Sequence, residues 1–225
     1  GDPLPAAGVD DATPLAPRMI YGAHKAMMEV ALATLSRRGE VDGVSLRLPG
    51  ILARPKGPSG MKSAFMSDLF HALRAGERFV CPVSEAATIW AQSVSCCAEN
   101  ILHALDANAT KLPEARALTL PALRIPMGQL AREIAAQCKT DPSFVRYAPD
   151  AALEAAFGAY PLLSTAAADA AGFAHDGDVA RLVRNALAVT LRGRIGWKQI
   201  SGDLLDYKLI PGAILIEFIN HPVAP

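Results

Sequence analysis

Helical and β-prone segments alternate along most of the chain, and this alternation limits the folds that it can adopt. Apolar residues recur at helical spacing over 18–38, and the next segment, 42–48, alternates apolar and polar residues as a strand does. The other predicted helices occupy residues 62–75, 93–106, 127–138, 150–157, 166–171 and 178–189, the last capped by Asp176 or Asp178. The other predicted strands occupy 78–83, 117–120 and 144–147, and 49–60 is predicted to be a loop rich in proline and glycine. Alternating strands and helices at this spacing predict an α/β fold.

Composition sets the class of protein and narrows its partners. Of the 225 residues 51% are hydrophobic, which is enough for a sizeable core. The 22 basic and 22 acidic residues cancel, so no charge excess favours nucleic acid or anionic membranes. The longest apolar stretch, 209–218, is interrupted by Pro211, Gly212 and Glu217 and is shorter than the roughly 20 residues of a membrane span. We therefore expect neither a nucleic acid nor a membrane as partner.

The cysteines and histidines indicate reduced thiols and predict no metal centre. Cys81, Cys96, Cys97 and Cys138 form no CxxC pair, which is typical of buried thiols in a cytoplasmic protein. The five histidines have no spacing expected of metal ligands.

The segment Tyr21-Gly-Ala-His-Lys25 carries the clearest chemical signal. Residues four apart lie on one face of a helix, so the Tyr21 hydroxyl and the Lys25 ammonium can reach the same cleft. A lysine cation near a tyrosine stabilises the phenolate and lowers the tyrosine pKa, which suits a general base. A YxxxK spacing also arises by chance, with an ordinary helix aromatic and a solvated lysine.

The surroundings of this pair resemble the extended branch of the short-chain dehydrogenase/reductase family. The matching features are the acidic proline loop before Arg18, the helix that starts with YGAHK, and the strand that ends in LRLPGILARP. The segments SRRG, RLP, ARP and SAF, at 36–39, 47–49, 53–55 and 63–65, most resemble the D-erythronate dehydrogenase subgroup. The resemblance covers roughly residues 1–188.

The resemblance assigns roles to individual residues. It makes Tyr21 the catalytic acid/base and Lys25 the residue that binds the nicotinamide ribose of NAD or NADP and lowers the tyrosine pKa. Pro49 and Ile51 then pack against the nicotinamide. The substrate-binding residues implied in the same way are Ser63, Phe65 and Trp90. It also implies a homodimer through the helix that carries Tyr21 and Lys25.

The resemblance divides the chain into three parts. Residues 1–55 and 93–120 would form the C-terminal part of a Rossmann-like doubly wound sheet, and 56–92 with 121–188 a small mixed α/β substrate-binding lobe. The family's glycine-rich cofactor turn and its catalytic serine or threonine would precede Gly1, so we expect a fragment without the N-terminal cofactor-binding half. The tail 189–225 is atypical, and its apolar run 208–219 is interpreted as a remnant, with an added edge strand or an aggregation-prone segment as alternatives.

The predicted activity is NAD(P)-dependent oxidation of a secondary alcohol of a small sugar acid. Gly50 stands where many epimerases place an asparagine, which weakens a nucleotide-sugar site. Arg54 and Lys56 follow the strand and could pair with a carboxylate or phosphate, although solvated loop charges are the simpler interpretation. A nucleotide-sugar epimerase or dehydratase and a non-catalytic interaction module remain as alternatives.

Overall fold

The structure, a computed structural model, describes residues 4–18, 20–55, 62–192 and 213–218. Its helices are α1 (Ile20–Arg37), α2 (Phe65–Ala75), α3 (Val94–Asp106), α4 (Met127–Cys138), α5 (Ala151–Phe157), α6 (Ala166–Ala170) and α7 (Val179–Arg192). Its strands are β1 (Gly43–Leu48), β2 (Gly50–Leu52), β3 (Phe79–Cys81), β4 (Thr88–Ser93), β5 (Ala117–Thr119), β6 (Leu123–Pro126), β7 (Val145–Tyr147) and β8 (Ala213–Phe218).

The first sheet is parallel and has β1 in the middle, with β5 on one side and β8 on the other. Val44, Leu46 and Leu48 of β1 enter a hydrophobic core with residues of α3 and α6. Arg47, which alternates with them, binds Glu29 of α1. Helices therefore cover both faces of a parallel sheet, as in doubly wound α/β proteins, and the predicted fold class is confirmed.

The second sheet has β4 between β2, which is parallel to it, and β6, which is antiparallel. Every residue of β4 is buried. This sheet and the helices α2, α4 and α7 form the larger of the two hydrophobic cores, beside a parallel pair of β3 and β7. The indole of Trp90 fills the centre of that core and is 1% exposed.

Three strands of these sheets are absent from the sequence prediction. β2 lies inside 49–60, which was predicted to be a loop, because three residues beside Pro49 are too short to show alternation. β4 shows no alternation because both of its faces are buried. β6 ends in a proline, a residue that sequence reasoning places outside strands.

Two predicted helix starts have side-chain caps. Ser93 Oγ accepts a hydrogen bond from the amide of Cys96 and caps α3. At α7 the sequence left Asp176 and Asp178 as alternatives, and Asp178 is the cap, since its carboxylate accepts from the amide of Arg181. Asp176 is buried and binds Ser93 instead, at 2.6 Å between its carboxylate and the hydroxyl.

The apolar run at 208–219 lies only partly within the described residues. Ala213–Phe218 forms β8, whose six residues pair in register with β1 from Gly43 to Leu48. The backbone pairing therefore matches the edge-strand alternative for this part of the tail.

Candidate active site

Helix α1 places Tyr21 and Lys25 on one face, as the sequence predicted. The Lys25 ammonium lies 5.8 Å from the centre of the Tyr21 ring, and both side chains are half-buried. At this separation the ammonium is attracted to the electron-rich face of the ring. The two side chains are therefore close enough to interact, as the predicted pair requires.

A charge pair that the sequence reasoning missed joins this helix to the sheet. Glu29, one helical turn beyond Lys25, accepts two hydrogen bonds from the Arg47 guanidinium, at 2.6 Å from Nε and 2.5 Å from Nη2. Glu29 is 5% exposed, so its charge is buried. The signal was present, because Glu29 interrupts the apolar residues of α1 on the face that Ala33 buries against the sheet.

The turn after β1 brings Pro49 and Ile51 to the carboxyl end of that strand. Only Pro49 separates β1 from β2, and the chain passes there from the first sheet into the second. Gly50 pairs with Ala91, and a Cβ atom at position 50 would lie 2.8 Å from the Trp90 carbonyl oxygen. Position 50 therefore accepts glycine and excludes the asparagine of many epimerases.

Arg54 lies in a tightly held segment just beyond β2. Ala53, before it, has a φ of 53°, in the left-handed region that residues with a Cβ rarely adopt. Ser67 accepts from the Arg54 amide at 3.3 Å, and the His71 ring lies 2.7 Å from the Arg54 carbonyl oxygen. Burial lowers the pKa of the Arg54 guanidinium, and the charge of Asp68 opposes that shift. A partly desolvated cation is thereby fixed at the strand end.

The three predicted substrate-binding residues are buried. Phe65 belongs to the larger core, where its ring packs edge-on against Phe157 at 6.2 Å between centroids. Trp90 Nε1 donates to the Pro161 carbonyl oxygen at 2.8 Å, and its ring packs against Tyr160. Ser63 is buried at the start of α2. The structure gives Phe65 and Trp90 packing roles in the core, so a substrate contact for them stays a prediction without support from these contacts.

Neither a metal-binding cluster nor a membrane-spanning helix is found in the described part of the chain. No group of three or more His, Cys, Asp or Glu side chains there is arranged to hold a metal ion. No helix within the described ranges combines the length and hydropathy needed to cross a lipid bilayer.

Two curated proteins named D-erythronate dehydrogenase are similar in sequence to this chain. The protein from Haemophilus influenzae is 35% identical over 124 residues, which make up 55% of this chain and 39% of that protein. The protein from Cupriavidus necator is 31% identical over 188 residues, or 82% of this chain and 57% of that protein. No protein-family model matches the chain. The chain thus spans between two fifths and three fifths of the length of these relatives.

The fold is also similar to solved structures. The nucleoside-diphosphate-sugar epimerase from Agrobacterium tumefaciens matches with a TM-score of 0.75 and 26% identity, covering 87% of this chain and 56% of that one. The two D-erythronate dehydrogenases confirm the resemblance predicted from the sequence, and the epimerase structure agrees with the predicted Rossmann-like fold.

Proposed function

We propose that this chain carries the acid–base half of an NAD(P)-dependent dehydrogenase site. It is a relative of the D-erythronate dehydrogenases and has the fold of the extended short-chain dehydrogenases/reductases. The substrate we propose is a small sugar acid whose secondary alcohol becomes a ketone. The observation that carries the proposal is the position of the Lys25 ammonium, 5.8 Å from the Tyr21 ring on the same helix face.

In this mechanism Tyr21 acts as the general base. Its phenolate oxygen takes the proton of the substrate hydroxyl, and Lys25 stabilises that phenolate before the transfer. The electron pair left on the substrate oxygen forms the ketone as hydride departs from carbon. In the reverse direction the Tyr21 hydroxyl returns the proton.

The donors present in this chain fit the nicotinamide end of NAD or NADP. A phenol and an ammonium suit the ribose hydroxyls, and the half-buried Ile51 offers apolar surface for the ring, whereas Pro49 is buried beside it. When bound, the nicotinamide accepts the hydride. The sequence holds no GxGxxG turn for the pyrophosphate, so the fit covers one end of the dinucleotide.

Arg54 and Gly50 support a sugar acid over a nucleotide sugar. A carboxylate matches a partly buried guanidinium, which can bind both of its oxygens. Gly50 leaves no side chain at a position where an asparagine would meet the Trp90 carbonyl. The competing activity, a nucleotide-sugar epimerase or dehydratase, is supported by the likeness to the Agrobacterium epimerase.

We also propose a homodimer through α1, in a reducing, cytoplasmic setting. α1 exposes Ile20, Met27 and Val30, the first of them 75% exposed, and a second copy would cover these side chains. All four cysteines are free thiols, as a reducing compartment requires.

Turnover tests the function directly, in the 225-residue chain joined to a glycine-rich cofactor-binding half, because the residues of the chain itself fit only one end of the dinucleotide. We would incubate this joined protein with NAD⁺ or NADP⁺ and D-erythronate, and in parallel with a nucleotide sugar, and follow the absorbance of the reduced nicotinamide. The expected result is reduction with the sugar acid that falls at least 100-fold in Tyr21→Phe, because the phenyl ring cannot accept the proton.

The same assay separates the alternatives. Conversion of the nucleotide sugar alone favours the epimerase or dehydratase. Absence of turnover favours the non-catalytic interaction module if saturation-transfer NMR also shows no binding of NAD⁺. Undiminished turnover in Tyr21→Phe would reject the assignment of the general base.

A further inference from the structure

Lys25 and Arg47 are both candidates to bind the carboxylate of Glu29. Lys25 precedes Glu29 by four residues, a spacing at which a lysine and a glutamate on one helix pair readily. The structure instead sets both Glu29 oxygens against the Arg47 guanidinium, and no ion pair joins the described side chains of Lys25 and Glu29. The Lys25 ammonium lies near the Tyr21 ring.

We propose that Arg47 is a positioning residue which, by holding both oxygens of Glu29, keeps the Lys25 ammonium beside Tyr21. A guanidinium fork matches a carboxylate in two parallel hydrogen bonds, a geometry that an ammonium cannot reproduce. Glu29 is 5% exposed, so its charge requires a cation nearby. Without Arg47, the nearest cation on the same helix face is Lys25.

Binding to Glu29 would move the Lys25 ammonium in a definite direction along the helix. Tyr21 lies one turn before Lys25 and Glu29 one turn after it, so an ammonium that binds Glu29 moves away from the phenol. Arg47 would thereby act on the acid–base pair through Glu29 and Lys25. The effect of Arg47 on Lys25 does not depend on the proposed function. Its importance for catalysis does, because it requires Tyr21 to be the general base.

Helix α1 and strand β1 pack together and carry five charged or titratable residues besides Tyr21. On α1 and β1 they are His24, Lys25, Glu29, Arg37 and Arg47. β8 also packs on α1, and its register sets Glu217 opposite Arg47.

A tyrosine titration tests the proposal without substrate or cofactor. The ¹³Cζ signal of Tyr21, assigned by its loss in Tyr21→Phe, is followed by NMR against pH in the wild type and in Arg47→Met. Lys25→Met supplies the scale, since it removes the ammonium altogether. We expect Arg47→Met to shift the Tyr21 pKa upward, in the same direction as Lys25→Met and by a large part of its amount.

The double variant Glu29→Gln with Arg47→Met separates positioning from packing. Removing the carboxylate leaves Lys25 with no competing partner, so the Tyr21 pKa is expected to return toward the wild-type value. A pair with only a packing role would give no such reversal. In the Lys25→Met background, Arg47→Met is expected to add no further shift, whereas a direct effect of the Arg47 charge on Tyr21 would still appear and would contradict the proposal.

The proposal is overturned by an unshifted Tyr21 titration in Arg47→Met, or by a shift that Glu29→Gln does not reverse. If Arg47→Met does not fold, Arg47→Lys replaces it, because lysine keeps the charge and loses the two-point contact. Failure of the proposed dehydrogenase activity would leave the titration readable. An intact titration cycle with no turnover would reject the proposed function alone.

Discussion

Helices α1 and α4 differ in how far the described chain covers them. Six of the twelve residues of α4 are buried, and all of these except Gly128 enter the larger core beside the second sheet. Only Glu29 and Ala33 are buried among the eighteen residues of α1. Five large apolar side chains of α1 are exposed, namely Ile20, Met27, Met28, Val30 and Leu35. The second sheet thus makes its own core, whereas the helix with the candidate catalytic pair leaves apolar surface that the described residues do not cover.

Matched leucine truncations on the two helices give the largest expected contrast. Leu130 on α4 is fully buried, and Leu130→Ala is expected to lower the free energy of unfolding by about 2–5 kcal/mol through lost contacts and a cavity. Leu35→Ala on α1 is expected to cost under about 0.5 kcal/mol. Urea unfolding measures both. Equal losses would show that α1 is covered as fully as α4.

The next largest loss of stability is expected when a methyl group is added at Gly50, at the junction between the two sheets. Gly50→Ala sets a Cβ atom 2.8 Å from the Trp90 carbonyl oxygen, which is backbone and cannot rotate away. We expect a loss of about 1–3 kcal/mol, with faster amide exchange in β2 and β4 than in β1 and β5. Exchange that rises equally in all four strands would contradict this local account.

The two buried thiols on α3 make stability depend on alkaline pH. Burial, reinforced by Asp176, raises the pKa of Cys96 from 9.0 to about 12, and burial raises that of Cys97 from 9.0 to about 11. The folded state therefore retains the thiol protons that the unfolded chain releases. This contribution is complete below pH 9 and is lost as the pH rises toward 11 and 12.

Unfolding at a series of pH values measures that contribution. At pH 10 we expect a loss of about 1 kcal/mol per thiol relative to pH 8. The variant Cys96→Ala with Cys97→Ala is expected to show a shallower slope over the same range. An identical slope in both proteins would assign the alkaline loss to other groups.

The smallest expected change in stability comes from the exposed face of α1. Met27 is 67% exposed, so Met27→Glu is expected to change the unfolding free energy of a monomer by less than about 0.5 kcal/mol. It sets like charges together across the proposed dimer contact, and sedimentation velocity should then show dissociation. His24→Glu on the same exposed side is a useful companion variant. A Met27→Glu protein that sediments as the wild type would place the partner elsewhere.

Local patterns predicted much of the fold and part of the site. The periodicity over 127–138 matches α4 residue for residue, and the YxxxK spacing set Tyr21 and Lys25 on one face. β4 was not predicted because a strand that is buried on both faces shows no alternation of apolar and polar residues. The Glu29–Arg47 pair was not predicted for another reason, since its partners are 18 residues apart and meet only after α1 packs on β1. Trp90 shows the same limit, because its burial depends on the neighbouring strands.

The single residue between β1 and β2 has a mechanical consequence. A rotation of one sheet against the other would need a pivot at Pro49, and the ring of a proline fixes φ, one of the two backbone torsions available to a pivot. Gly50 adds a second restraint, since its close approach to the Trp90 carbonyl ties the far side of the joint to β4. A movement of the second sheet against the first would therefore bend the chain elsewhere, and Ile51 of the second sheet would keep its position relative to the end of β1.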